Sequence, residues 1–198
     1  MQPAKLNYKI YQGSTFQESY RWESETKVYV PIQAIQRNAP CVITTSLDHN
    51  LPQGWRFRVT GAGGMKELNS TGDNYHLATG VTATTITLNQ VNSLQYTAYT
   101  TGGVIEYNQP VPLANYSARM QIRETVDSAT AIYSTTNAVG GGFVLDLALS
   151  TITLTIPASV TQAFDFSTAV YSIELFETSG LVVPFLTGNL TLVPEVTR

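Results

Sequence analysis

The stretch Asn115-Tyr-Ser-Ala-Arg-Met-Gln-Ile-Arg-Glu124 constrains this chain more than any other. Tyr116, Ala118, Met120 and Ile122 fall on one side of it, and Ser117, Arg119, Gln121 and Arg123 on the other. A period of two marks a β-strand with one face in a core and one in water. In strand spacing the stretch reaches roughly 30 Å, long for a strand, which places it centrally in a sheet. Segments with the same alternation lie at both ends of the chain. A Gly- and Asn-rich stretch of different texture separates it from the N-terminal ones. This predicts one β-domain built from residues 1–33 and 109–198, with a second β-module, residues 34–108, inserted into it.

The flanking pieces support an all-β reading. Phe16, Tyr20 and Trp22 share a face with Glu18, and Val28, Val30 and Ile32 form the next inward set. Pro31 has no N–H for a ladder, so that strand is expected to end there or to lie at an edge. Val30-Pro-Ile32 and Val111-Pro-Leu113 echo each other and read as the two lips of the insertion. Downstream, Phe143, Leu145, Leu147 and Leu149 alternate inward, as do Ile152, Leu154 and Ile156. Only Ser150-Thr151 separates the two sets, which make either one bent strand or a tight hairpin. Pro157–Phe164 is the one credible helical turn. Tyr171, Ile173 and Leu175 line another strand, and Gly188 is expected to break Leu181–Thr187 from Asn189–Val193. No helix is long enough to cover a sheet, so a second sheet must do so: an Ig-like antiparallel β-sandwich of roughly eight strands. Inside the insertion, short strands at 41–45, 55–60, 75–79, 84–88 and 103–107, spaced by turns, suggest a small barrel or sandwich.

Chemistry is sparse. The net charge of −3 and the scattered 11 Lys and Arg form no basic face, which argues against nucleic acid and anionic membrane as partners. The N-terminus lacks an apolar signal core, and no apolar run approaches the ~20 residues that span a bilayer, so synthesis in the cytoplasm without standard export is expected. Cys41 is the single cysteine and reads as a buried thiol. Gly61-Ala-Gly-Gly64 lacks the Gly-Lys-Ser/Thr ending of a phosphate loop. His49 and His76 stand apart from any ligand partner, so no metal site or cofactor is expected; His49 reads as a turn-capping imidazole. No nucleophile elbow is present, and the carboxylates Glu106, Asp146, Asp165 and Glu174 read as solvated strand-face groups, so no catalytic residue is assigned. Trp55, Met65, Tyr75, Tyr96 and Tyr99 form the candidate interaction surface, since aromatic rings at strand spacing serve cores and interfaces. A glycan platform is the lesser reading of the same rings, with Trp55 and loop 61–69 as its place. The pairs Arg56–Arg58 and Arg119–Arg123 read as solvated faces or as salt-bridge donors to a neighbour.

Two resemblances add to this. Residues 41–107 resemble a small β-module of tailed-phage structural proteins, sometimes labelled by similarity to a domain of ubiquitin-activating enzymes. The residues that carry it are Ile43-Thr-Thr45, His49-Asn-Leu51, Gly54, Val59, Gly61, Gly64-Met65, Leu68-Asn69, Tyr75, Thr85–Leu88 and Tyr96–Gly103. The usual His-Gly-Leu reads His49-Asn50-Leu51 here, and nothing in the module implies ubiquitin chemistry. The outer pieces look like phage upper-baseplate and tail proteins through Gly13–Phe16, Leu113–Arg123, Ile152–Leu154, Ala169–Leu175 and Leu186–Arg198. Together the resemblances imply a non-enzymatic virion protein, made in the host bacterial cytoplasm. Its partners would be copies of itself and neighbouring tail, baseplate, neck or fibre proteins. A head decoration or head-fibre protein, or a receptor- or glycan-binding module, is the alternative.

Overall fold

The computed structural model describes residues 2–196. Strands hold 49% of the chain and helix 4%, so the all-β expectation holds. The first strands are β1 (Ala4–Lys5), β2 (Tyr8–Tyr11) and β3 (Phe16–Arg21). Next come β4 (Glu23–Gln36), β5 (Cys41–Thr45), β6 (Arg56–Thr60), β7 (His76–Leu77), β8 (Gly80–Val81), β9 (Thr85–Leu88) and β10 (Val104–Pro110). The last are β11 (Tyr116–Arg123), β12 (Tyr133–Thr136), β13 (Phe143–Asp146), β14 (Thr151–Ile156), β15 (Thr168–Glu177) and β16 (Val182–Val193). One helical turn, α1 (Ala158–Thr161), follows Pro157, and Lys66–Leu68 form a 3-10 turn.

The chain divides into two units, Met1–Arg21 with Pro112–Arg198, and Trp22–Val111. The division thus falls near residues 22 and 111 and not at 34 and 108. The reason is pairing. β10 runs antiparallel along the first half of β4, from Val104 opposite Pro31 to Pro110 opposite Glu23. The strand 27–32, expected in the outer domain, therefore belongs to the inserted unit. The chain crosses between units where the Val111 N–H meets the Trp22 carbonyl, so the echo Val111-Pro-Leu113 does mark a crossing, whereas Val30-Pro-Ile32 lies inside the inserted unit.

In the discontinuous unit, a six-stranded sheet is ordered β1-β16-β15-β11-β12, with β2 also on β16, and a three-stranded sheet is ordered β13-β14-β3. The organising strand, β11, is internal; β15 holds the centre between β11 and β16, each of which lies one place from an edge, and β15 and β16 are the longer strands. Ala118, Met120 and Ile122 of β11 are buried opposite Leu175, Ile173 and Tyr171 of β15. From the smaller sheet, Phe143, Ile152, Leu154 and Ile156 are buried. Rings join the two layers: Tyr8 meets Phe16 at 5.4 Å, and Tyr20 meets Phe185 at 6.1 Å. Each large apolar side chain buried here contributes about 1.5–3 kcal/mol.

Three local expectations change. Leu147 and Leu149 are 59% and 39% exposed, because they form the connection of the β13–β14 hairpin and not its inner face. Asp146 Oδ1 accepts the Leu149 N–H at 2.8 Å and shapes that turn. Gly188 does not break the last strand. β16 runs through it, and an added Cβ would lie 1.7 Å from the Leu6 carbonyl oxygen. Glycine is there because the segment between β1 and β2 crosses over it. The Leu6 N–H bonds the Thr187 carbonyl at 2.9 Å, and Asn7 Oδ1 accepts the Asn189 N–H at 2.9 Å.

In the inserted unit, a seven-stranded sheet is ordered β7-β6-β10-β4-β5-β9-β8. Pro31 neither ends β4 nor lies at an edge. It sits where β4 changes partners, from β10 at Pro31 to β5 at Ile32, so its missing N–H interrupts neither ladder. The register shifts between Ile32 and Ala34, and the inward set passes from Val30 and Ile32 to Ile35. A bulge re-aims side chains in this way. The core of the unit gathers Ile43, Trp55, Phe57, Val59, Met65, Leu68, Ile86 and Ile105, with Cys41 fully buried among them. Burial raises the pKa of the Cys41 thiol.

Candidate interaction surfaces

Two loops of the inserted unit are bound to each other through their backbones. The Gly63 N–H donates to the Thr101 carbonyl at 2.8 Å, and the Thr100 N–H returns to the Gly63 carbonyl at 3.0 Å. Gly64 holds φ +77°, and a Cβ on it would lie 2.0 Å from the Ala98 carbonyl oxygen. Only glycine fits both demands. Asn69 closes one side by bonding the Ala62 N–H at 2.9 Å and the Ala62 carbonyl at 3.1 Å. Glu67 Oε1 accepts both the backbone N–H and the hydroxyl of Thr97 at 2.9 Å, and the bond from the Thr97 backbone leads in holding that carboxyl below its usual pKa. The Tyr99 hydroxyl donates toward the carbonyls of Ile32 and Gly102, at 3.1 and 2.9 Å.

His49 is 1% exposed. Its Nδ1 accepts the Leu51 N–H at 2.9 Å, so the proton sits on Nε2, 3.3 Å from the Thr85 carbonyl. It caps its own turn, as expected from the sequence. Asn50 between them holds φ +49°, a conformation that asparagine adopts more readily than other side-chain-bearing residues. The Tyr107 hydroxyl donates to the His49 carbonyl. Burial lowers the His49 pKa below its usual value and keeps the ring neutral.

These facts redistribute the candidate surface. Trp55 and Met65 are fully buried, and the Trp55 indole N–H bonds the Asn108 carbonyl at 3.0 Å. Tyr96 and Tyr99 pack half-buried against the core. Tyr75 alone of the five is exposed, at 43%. Trp55 therefore offers no stacking ring to a glycan: its indole faces inward, and loop 61–69 is bonded to the loop of Thr100 and Thr101.

Tyr75 leads to a surface that its own sequence neighbourhood did not mark. On the outer face of β4, β10 and β6, Tyr29, Glu106 and Arg58 stand in one row. The Tyr75 ring lies 4.8 Å from the Arg56 guanidinium and 5.9 Å from that of Arg58. Arg56 forks onto Glu23 through Nε and Nη2, both at 2.7 Å. Lys27 pairs with Glu106 Oε1. Arg58 Nε is out of water and has no hydrogen-bond partner. The alternation of Arg56 and Arg58 was the available signal; which of the two lacked a carboxylate depended on long-range pairing.

The large sheet of the discontinuous unit turns a polar face outward. Arg119 bonds Glu174 at 2.6 Å, and a shallow depression of about 300 Å³ is lined by Arg119, Gln121, Ser172 and Glu174. A groove of about 580 Å³ runs beside edge strand β12, walled by the glycine loop 140–142 and by Val139, Val144 and Val160. Among the carboxylates weighed for chemistry, Glu106 and Glu174 are ion-paired and Asp146 shapes a turn. Among the described residues no three His, Cys, Asp or Glu side chains cluster as metal ligands, and no helix is long and apolar enough to cross a membrane.

No protein-family model matches the chain, and no curated protein matches it in sequence.

Proposed function

We propose that this chain is a non-enzymatic structural subunit of a tailed-phage virion, placed at the tail, baseplate or neck. It works by docking to copies of itself and to neighbouring tail or fibre proteins. The observation that supports this reading best is the closed loop pair of the inserted unit. The residues on which the resemblance to the phage β-module rests, Gly61, Gly64-Met65, Leu68-Asn69 and Tyr96–Gly103, are distant in sequence and converge on one backbone-to-backbone contact. Asn50, which stands where His-Gly-Leu is usual, holds a left-handed φ of +49°, a conformation open to glycine. A module spent on its own rigidity, with buried histidine and thiol, suits a spacer or platform better than a reaction centre. The outer pieces carry their part of the resemblance on β3, β11, β14, β15 and β16; its last residues, Thr197 and Arg198, lie outside the described ones.

The test is immunogold electron microscopy of the virions that encode the chain, with antibody raised against the full-length protein. Label at the tail tip or neck is the expected result. Label spread over the head would replace this reading with a decoration protein. Absence of the chain from purified particles by mass spectrometry would overturn the virion reading.

A further inference from the structure

We propose that the outer face of the inserted unit's sheet is a two-fold contact between two copies of this chain, with Arg58 of each copy set against Glu106 of the other. Reading across the strands at one level gives Tyr29 on β4, Glu106 on β10 and Arg58 on β6. The register of β6 with β7 extends this row to Tyr75, since Phe57 is opposite His76 and Arg56 opposite Leu77. The row is therefore aromatic, carboxylate, guanidinium, aromatic.

Such a row is complementary to itself. A two-fold axis lying in the contact plane, parallel to the strands and between β10 and β6, exchanges the two halves. It sets Glu106 on the partner's Arg58 and Tyr29 on the partner's Tyr75, and each contact occurs twice. Closed two-fold interfaces demand this property of a surface. The rows on either side fit the same operation, with Arg56 facing the partner's Asn108, and Thr60 the partner's Val104.

The groups in the row have unspent bonding capacity. Arg58 Nε is removed from water with no acceptor, a state that costs more than a solvated or paired arginine. Lys27 engages Oε1 of Glu106, and Oε2 remains for a second donor. Around this pair lie apolar groups that water covers in the single chain: Tyr29, Leu77 and Tyr75 are 56%, 48% and 43% exposed. Tyrosine and arginine at the centre of a patch are the side chains in which binding energy concentrates. The contact does not depend on where the protein serves, so its test is separate from that of the virion reading.

Sedimentation velocity of the purified full-length chain tests it. A reversible dimer at micromolar concentration, weakened by salt, is expected. Arg58→Glu and Glu106→Arg should each leave monomer. An equimolar mixture of the two should form a heterodimer, because each charge then meets its opposite again. Tyr29→Ser, an exposed position, should raise the dissociation constant about tenfold or more and serves if a charge reversal impairs folding. A wild-type chain that stays monomeric, or an oligomer indifferent to these variants, would overturn the proposal.

Discussion

Two arginines on two outward sheet faces have different surroundings. Arg119, on the large sheet of the discontinuous unit, reaches Glu174 across a strand pair at 2.6 Å and lays its guanidinium 5.8 Å from the Phe176 ring. Arg58, on the sheet of the inserted unit, stands beside Glu106 in register, yet its Nε bonds nothing. The first face closes Arg119 on a carboxylate of its own sheet; the second closes Arg56 on Glu23 and Lys27 on Glu106 but leaves the covered Arg58 Nε without an acceptor. The units differ as much inside. The discontinuous unit relies on long ladders, with β15 and β16 paired from Thr168 to Phe176. The inserted unit strings short strands around one long one, the 14-residue β4, and its loops are held by glycine contacts and by polar groups turned inward. The lesson is that a small β-module obtains rigidity by using its polar groups internally, and what it leaves unused on the surface is informative.

The sharpest way to break this contrast is at the glycines. Gly64→Ala places a methyl group against the Ala98 carbonyl and forces alanine to a φ of +77°. We expect a loss of about 3–5 kcal/mol, since neither backbone has room to yield. Gly188→Ala also meets a carbonyl, that of Leu6, but this belongs to the connection between the short strand β1 and β2, which can shift. A loss of about 1–3 kcal/mol is expected there. Hydrogen exchange separates the two: Gly64→Ala should loosen amides within 22–111, and Gly188→Ala those of β1, β2, β15 and β16. Equal loosening of both units by either variant would mean that they do not have separate stabilities.

The alternation of residues 115–124, 169–177 and 152–156 made the sandwich legible, because period two survives wherever one sheet face is buried. The same rule misplaced Leu147 and Leu149, where alternation ran on into a hairpin connection. It also read Pro31 and Gly188 as stops. Each is explained by another segment: β5 takes over pairing after Pro31, and Leu6–Asn7 cross above Gly188. A sequence shows what a residue lacks, an N–H or a Cβ, but not which distant segment makes the lack useful. The candidate surface failed for a related reason. Trp55 and Met65 were chosen by type, and the positions that stand outward were set by the register of β6 with β10 and by the loop pair. Tyr75 was found; Tyr29, Glu106 and Arg58 needed three strands in register.

Acid gives a smaller and more selective test. Both histidines, His49 and His76, lie in the inserted unit. The folded state holds the His49 pKa below 6.5, so below that pH the unfolded chain binds a proton that the native chain does not. Stability from this group is complete above the unfolded pKa and falls as pH drops toward the folded value. The slope is at most about 1.4 kcal/mol per pH unit. Urea melts at about pH 7.5 and about pH 5.5 should show the loss, and His49→Gln should flatten it in that window. Exchange measured at the same two pH values should place the loosening in 22–111. A loss centred on the ladders of β15 and β16 would assign it to other groups.

The smallest stability effects belong to Arg119 and Arg58, and there the sign carries the information. Arg119→Ala removes an ion pair whose side chains are 52% and 32% exposed, and surface pairs of this kind are worth about 0–1 kcal/mol. A slight loss of stability and no change in association are expected. Arg58→Ala removes a guanidinium whose Nε is buried and unbonded, so the isolated chain should keep its melting midpoint or gain slightly while self-association is lost. Thermal melts of dilute protein, paired with sedimentation, read both quantities on the same samples. If Arg58→Ala destabilised the monomer more than Arg119→Ala did, its guanidinium would be serving the fold through its place beside the Tyr75 ring, and the contrast between the two faces would reduce to a difference in packing.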